Sequence, residues 1–469
     1  MSLTPFSRLA PFAPPVRLEA RLLLRLALPI IAAQLSATGM SLIDVVLAGH
    51  LGVHVLASVA IGTSIWSLAL ATIQGVLLSV PTAVAQLNGA GQRRDIWRLF
   101  RQALWLAIGV GVTMGLVVAF AGPYVLQSMG VAPELVDDGS RFLRAIALGA
   151  PALAILLSCR GLSEGLSIAR PSFWFGLIGP LLLAPLGYAL MYGRYGFPAL
   201  GVLGSGMATA VVLWIQALAF LSYVVFHPRY RGLGQDHAGY APEWPRIAEL
   251  LRVGVPMGMT LLMEVGLFIA TALVIGRLGD RAVAMHQIAM SVITIAFMVP
   301  LGLSMAITVR VAGARGRRDA AGVRRAAYVG MGLALGLQLV SGGVMLLLPG
   351  AIVSLYTDST AIVAGATLLL RLAGLFQISD GLQVAGNGAL RGLKDTRIPM
   401  FLTMFAYWAV GMPVGVWLSI HRGYGAPGMW VGLLAGLSTA AVLLWTRFVR
   451  ITRNTGTPGA FAAPPLSGK

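Results

Sequence analysis

Two stretches decide the fold: residues 27–52, ALPIIAAQLSATGMSLIDVVLAGHLG, and residues 254–279, GVPMGMTLLMEVGLFIATALVIGRLG. Each holds an apolar run of about 18 residues or more, enough for a helix to cross a bilayer. Leu28-Pro29 matches Val255-Pro256, and Ala48-Gly49-His50-Leu51-Gly52 matches Ile275-Gly276-Arg277-Leu278-Gly279, an offset of 227. Gly89-Ala90-Gly91-Gln92-Arg93-Arg94-Asp95 then matches Gly313-Ala314-Arg315-Gly316-Arg317-Arg318-Asp319 at 224, so residues 27–103 align on 254–327. Further on, Arg160-Gly161-Leu162 pairs with Arg391-Gly392-Leu393, Pro171 with Pro399, and Tyr195-Gly196-Phe197-Pro198 with Tyr424-Gly425-Ala426-Pro427. The chain is therefore two six-helix halves. Six is even, so both halves run in the same sense, as in transporters whose repeats are related by a pseudo-twofold axis along the membrane normal.

Composition agrees. Of 469 residues, 57% are hydrophobic and 11% charged, against about 25% charged in a soluble domain; the mean hydropathy is +0.83. The expected fold is an all-α polytopic membrane protein with twelve transmembrane helices, over 26–48, 56–80, 102–121, 142–159, 171–192, 200–226, 253–275, 283–307, 327–349, 366–388, 398–420 and 426–446. The domains expected are an N-terminal segment 1–25, an N-lobe 26–226, a linker 227–252, a C-lobe 253–446 and a tail 447–469. The net charge of +18 would fit nucleic-acid binding if the basic residues formed one face, but they lie in short runs between spans. Counted on alternate sides, 27 of the 34 Lys and Arg fall on the side of the N-terminus and 7 on the other. The positive-inside rule then places both termini in the cytoplasm of an inner-membrane protein and removes nucleic acid as a partner. No cleavable signal peptide is evident. The one cysteine, Cys159, excludes an intramolecular disulfide and a multi-cysteine zinc site, and reads as a small buried residue.

Thirteen of the sixteen acidic residues fall in loops or at span ends, where a solvated role is the default; Asp44, Glu264 and Asp380 do not. An acid at membrane depth costs roughly 2.5–3.5 kcal/mol on insertion scales, which makes it a functional candidate. Glu264 lies 12 residues beyond Arg252 and Asp380 lies 11 before Arg391, so both sit about 16–18 Å from the cytoplasmic boundary, near the midplane. Two carboxylates at one depth suit an exchangeable proton or a hard cation such as sodium. Asp44, 19 residues beyond Arg25, belongs near the outer end of the first helix, where a capping or interfacial role is the alternative. The repeat counterpart of Asp44 is Thr271 and that of Glu264 is Ala37, so the halves share a scaffold and not a site.

Gln34, Gln74, Gln287, Gln377, Gln383 and Asn387 are further polar residues within spans, and helix-to-helix hydrogen bonding is their default role. Gln377 and Gln383 flank Asp380 by three residues on either side, which points to a cavity-lining face. Met263, Met290, Phe268 and Phe376 lie on the helices that carry these groups. Such residues are usually packing, yet a polarizable aromatic lining also suits flat organic cations. Arg371 is expected to snorkel to the outer interface.

Gly161-Leu162-Ser163-Glu164-Gly165 fits an esterase elbow, but it joins two apolar helices and its repeat equivalent, Gly392-Leu393-Lys394-Asp395-Thr396, has no serine. No phosphate-binding loop or H-E-x-x-H is present, so the protein does not read as an enzyme, needs no cofactor and would run on an ion gradient.

The chain resembles the multidrug and toxic compound extrusion (MATE) transporters, in particular their NorM-type branch, over residues 20–450. The resemblance rests on Leu28-Pro29 with Ala33-Gln34, Ile43-Asp44-Val45, Val84-Ala85-Gln86-Leu87-Asn88-Gly89, Met263-Glu264-Val265, His286-Gln287, Phe297-Met298-Val299-Pro300-Leu301, and Leu375-Phe376-Gln377-Ile378-Ser379-Asp380 through Gly388-Ala389-Leu390-Arg391-Gly392. It implies a two-lobed bundle, antiport with Na+ or H+, and export of small cationic drugs or dyes by a monomer in membrane lipid. It also implies cation binding at Glu264 and Asp380 and coupling at Asp44. Phe376 stands where relatives can carry a tyrosine, which removes one oxygen that would hold sodium. The rivals are a lipid-linked sugar flippase of the same superfamily, which wants a more cationic cleft, and a membrane-embedded transferase, which needs a catalytic motif at an interface.

Overall fold

The computed structural model describes residues 13–128, 132–234, 241–357 and 359–454; residues 1–12 of the expected N-terminal segment and 455–469 of the expected tail lie outside these. Among the described residues every regular element is helical. Eleven helices are long and apolar enough to cross a membrane, and a bent pair makes a twelfth span. We number the spans α1 (Val16–Leu51), α2 (Val53–Gly89), α3 (Arg93–Ser128), α4 (Pro133–Ala147 with Ala150–Gly165), α5 (Arg170–Tyr192), α6 (Gly201–Phe226), α7 (Trp244–Gly276), α8 (Asp280–Gly316), α9 (Ala320–Leu347), α10 (Ile362–Gly392), α11 (Arg397–His421) and α12 (Gly425–Arg453). Large apolar side chains such as Leu42, Phe120, Leu339 and Val340 point outward. That suits hydrocarbon, where a helix has no need of a polar outer face.

The repeat is visible in the backbone. α2 and α8 are both 37 residues long, and the turns before them pivot on Gly52 and Gly279, counterparts at offset 227, with φ of 131° and 97°. A side chain is strained at either angle, which explains a glycine at both.

The fourth span differs from the expected 142–159. It begins at Pro133, ends at Gly165 and bends by 43° at Leu148-Gly149. Pro151 has no N–H to donate and its ring excludes the carbonyl a turn earlier. The amides of Leu148 and Gly149 turn instead to Ala145 and Ile146, three residues back, at 3.3 and 2.8 Å. The Trp214 indole donates to the Leu148 carbonyl at 3.0 Å. α3 contains a π-helical stretch at Val117–Ala121, and α11 contains two, at Phe405–Gly411 and Trp417–His421.

The chain forms two compact units, one of residues 32–88 and 92–265, the other of residues 1–31, 89–91 and 266–469. Two of the divisions fall inside continuous helices, two residues past Pro29 in α1 and nine past Pro256 in α7. The first unit packs around Trp66, Trp97, Phe100, Phe142 and Phe220. Part of the linker belongs to that core: Tyr230 and Leu233 are buried, and the Trp97 amide donates to the Leu233 carbonyl at 3.1 Å. Gln102 receives the Glu243 amide at 2.7 Å, and Glu243 itself is bound by Arg98 and Arg246. Burial pushes the Glu243 carboxyl up, but the Arg98 hydrogen bond and the charges of both arginines outweigh it and hold the group below the usual carboxylate range.

Candidate functional site

In the second unit α10 packs against α8, α9 and α12. Its rotation about its own axis is fixed from α8: Ser304 donates to the Val384 carbonyl at 2.8 Å and Thr308 to the Gly388 carbonyl at 2.9 Å. A Cβ on Gly388 would stand 2.6 Å from the Ser304 carbonyl oxygen, so this approach requires a glycine. On the α9 side Gln338 donates to the carbonyl and side-chain oxygens of Gln377 at 3.2 and 3.0 Å, and Ser341 donates to Gln338 at 3.2 Å. Gln377 is thus spent on holding two helices together.

Fixed in this way, α10 keeps Asp380 inside the unit, 1% exposed. Phe376 and Gln383 share its face, one turn to either side. Toward Gln383 the surroundings are polar: its amide nitrogen donates to the Tyr407 hydroxyl at 2.8 Å, while its buried Oε1 accepts from none of the described residues. Ser379 and Ser438 pair at 2.7 Å. Toward Phe376 they are aromatic, with Phe268 at 6.4 Å and Trp430 at 6.3 Å between ring centroids, and His286 5.8 Å beyond Trp430. A carboxylate beside an amide oxygen free to accept is a donor set that fits a proton or a hard cation carried as cargo. Among the described residues no three His, Cys, Asp or Glu side chains gather as a metal-holding group.

The other expected residues lie as follows. Glu264, on the α7 stretch of the first unit, is 8% exposed, and Met263 beside it is half-buried. Asp44 accepts from Ser205 at 3.0 Å and Thr209 at 3.1 Å, both on α6; it is a partnered acid within the first unit. Gln34 is buried, Met290 half-buried and Gln287 exposed. Cys159 is buried, as expected, and Arg371 is exposed.

Two acids expected to be solvated are not. Glu19 is buried and takes two bonds of 2.8 Å from Arg310, and Glu164 is buried and bound by Arg160 at 2.7 Å. The second pair was legible as an i,i+4 Arg and Glu on one helix; the first joins residues 291 apart and carried no local signal. Ser163 of the elbow-like motif lies within a helix and bonds the Cys159 carbonyl and the Tyr230 hydroxyl, at 3.0 and 2.8 Å.

Comparison with known proteins agrees with this architecture. The MatE family model matches residues 29–189 and again 256–417, two copies whose starts are 256 − 29 = 227 residues apart, the offset of the internal repeat. A probable multidrug resistance protein, NorM, of Xanthomonas campestris is 47% identical over 92% of this chain and 93% of its own. The multidrug resistance protein PmpM of Pseudomonas aeruginosa is 42% identical over 94% and 93%. Among solved structures, a eukaryotic MATE transporter superposes with a TM-score of 0.84 at 21% identity, covering 94% of this chain and 99% of that one. An outward-facing MATE transporter of the MOP superfamily superposes with 0.85 at 20%, covering 94% and 97%; at these identities the likeness is one of fold. With the family model matched twice, across the repeat, and relatives this similar over nearly their whole length, the chain belongs to the MatE family of membrane transporters.

Proposed function

We propose that this chain is a multidrug exporter that drives small organic cations out across the inner membrane by antiport with Na+ or H+. Both termini then lie in the cytoplasm, as the excess of Arg on that side requires. The observation that carries the reading is Asp380, an acid 1% exposed at the middle of a transmembrane helix, flanked on one side by amide and hydroxyl oxygens and on the other by aromatic rings. Glu264, 8% exposed, serves as the second coupling acid, and Asp44 on α1 as a further one. The relatives' names as multidrug resistance proteins support the cargo class.

Coupling requires that ion and drug favour different states of the protein. Loading an ion at Asp380 removes a charge from the interior and so weakens the hold on a cationic drug. Each charge moved through 100 mV supplies about 2.3 kcal/mol, so one or two ions sustain a modest drug gradient. The protein acts as a monomer surrounded by lipid.

The test is ethidium efflux from proteoliposomes under an imposed sodium gradient or an imposed proton gradient, in wild type, Asp380→Asn and Glu264→Gln. Efflux driven by one gradient and lost in both variants is expected, with both variants folded as judged by size exclusion. Wild-type transport in either variant overturns the assignment of that acid; no efflux under either gradient overturns antiport and turns attention to lipid-linked cargo.

A further inference from the structure

A second polar layer lies in the same unit as Asp380. His286 on α8 is 3% exposed and its Nδ1 has no hydrogen-bond partner among the described residues; the same holds for Nε1 of Trp430 on α12, 1% exposed, and for Oγ1 of Thr271 on α7, fully buried. His286 and Trp430 are in edge contact, their ring centroids 5.8 Å apart. Counted along each helix, His286 is six residues inside the start of α8, Trp430 five inside the start of α12, and Thr271 five before the end of α7.

Three buried polar atoms left without partners cost about 1–3 kcal/mol each. A buried water with two to four polar neighbours relieves such a cost. An indole N–H donates, an imidazole nitrogen donates or accepts, and a hydroxyl does both, so together the three can hold one. The repeat points the same way. Thr271 is the counterpart of Asp44, which in the other half is held by two hydroxyls at 3.0 and 3.1 Å. The counterpart of His286 at offset 227 is Val59, and that of Trp430 at offset 229 is Gly201. Where the first half keeps an acid at Asp44 the second keeps Thr271, and the counterparts of its His286 and Trp430 are apolar.

We propose that His286 carries the coupling proton between the α7–α8 end of the bundle and Asp380, with a water held by Trp430 Nε1 and the Thr271 hydroxyl as its neighbour. The inference rests on the antiport reading and specifies its ion. On loading, a proton binds an imidazole nitrogen of His286 and then passes by way of water to the Asp380 carboxylate, whose charge it cancels; His286 returns to the neutral form. Phe376, whose ring centroid lies 6.3 Å from that of Trp430, is one helical turn from Asp380. Histidine suits the task because one ring nitrogen can take up a proton while the other keeps a hydrogen bond. The titratable groups on the surrounding elements are few. α7 carries Glu264; α10 supplies Asp380, exposed Arg371 and, at its far end, Arg391; α11 supplies Tyr407 and exposed His421 and Arg397; α8 itself carries exposed Arg281 and Asp280 near its start; α12 from Gly425 to Trp445 and the nearby half of α9 supply none.

The experiment uses proteoliposomes with pyranine trapped inside and ethidium as cargo. His286→Gln is expected to slow ethidium-coupled proton flux by about a hundredfold, the range of a positioned proton carrier. It should also change the dependence of rate on pH, while ethidium affinity stays within about twofold. Trp430→Phe keeps the ring and removes the donor, and Thr271→Val keeps the shape and removes the hydroxyl; each slows the flux with affinity unchanged. Should His286→Gln not fold, these two decide alone. Wild-type flux and pH profile in the variants, with Asp380→Asn inactive, overturn the role of His286 and leave antiport standing. Efflux that runs on a sodium gradient alone overturns the proton-carrying role outright. Full efflux in Asp380→Asn, or none in wild type, overturns the antiport reading, and this proposal falls with it.

Discussion

Replacing Glu19 by Gln should destabilise the unit of α8–α12 more than any surface substitution. Glu19 lies on a face of α1 with Leu23, Leu26, Ala27 and Ile30, all buried. At its end the carboxylate takes two bonds of 2.8 Å from Nε and Nη2 of Arg310 on α8. The side chains are 7% and 22% exposed, so solvent screens little of the interaction. A buried pair gives little net stability against a well-packed apolar one, but removing one partner leaves the other charge uncompensated, at about 3–5 kcal/mol. The partial exposure of Arg310 puts Glu19→Gln at the lower end, about 3 kcal/mol, or roughly a hundredfold in the unfolding equilibrium. In a chain of this size that lowers the melting temperature by on the order of 5 °C, measurable by fluorescence-detected size exclusion after heating in detergent. Arg310→Gln should cost at least as much, because it strands the more deeply buried partner. The double variant Glu19→Gln/Arg310→Gln strands neither charge and should recover more than half of the loss. A single variant melting within about 1 °C of wild type, or a double variant as unstable as the sum of the singles, refutes this reasoning.

Two further outcomes follow from local geometry. A Cβ at Gly75 would stand 2.3 Å from the Gly258 Cα, a clash with backbone that no rotamer relieves, so Gly75→Ala should cost more than about 3 kcal/mol and yield little folded protein. Gly109→Ala, with nothing within 4 Å of the added methyl, should fold at least as well as wild type on the same chromatographic assay. Burial pushes the Tyr230 phenol up to about 12, from 10.0 when free, against the lowering effect of its bond with Ser163. The folded protein therefore holds this proton when the unfolded chain has released it, and the stability it adds is present below pH 10 and lost as pH rises through about 12. In Tyr230→Phe the fall in melting temperature over that window should be shallower, and an identical pH curve would exclude this linkage.

What could be read from the chain was whatever repeats or whatever hydrocarbon forbids. The offset of 227 between residues 27–52 and 254–279 reappears in Gly52 and Gly279 as matching strained turns. Asp380 stood out because an acid amid apolar residues has no neutral explanation. The bend at Leu148-Gly149 was hidden because hydropathy averages over a window and cannot register one missing amide at Pro151. The divisions of α1 after Ile31 and of α7 after Val265 were hidden for a related reason: a helix that changes packing partners midway keeps one apolar pattern throughout. Glu19 looked solvated because its partner, Arg310, is brought to it only by tertiary packing.

The asymmetry between the halves has a steric basis as well as a chemical one. Arg160 corresponds to Arg391, an offset of 391 − 160 = 231, so the counterpart of Asp380 is residue 380 − 231 = 149, the glycine at the bend of α4. A Cβ there would stand 3.0 Å from both the Ala210 Cα and the Leu213 Cδ1, leaving no room for a carboxylate. Glu264 likewise corresponds to Ala37. The first half cannot copy the acid site of the second without moving α6, and it keeps a different acid, Asp44, tied by two hydroxyls of that same helix. A glycine at a close helix approach in one half thus stands where the other half keeps an acid, which is how one scaffold used twice holds two unlike polar sites.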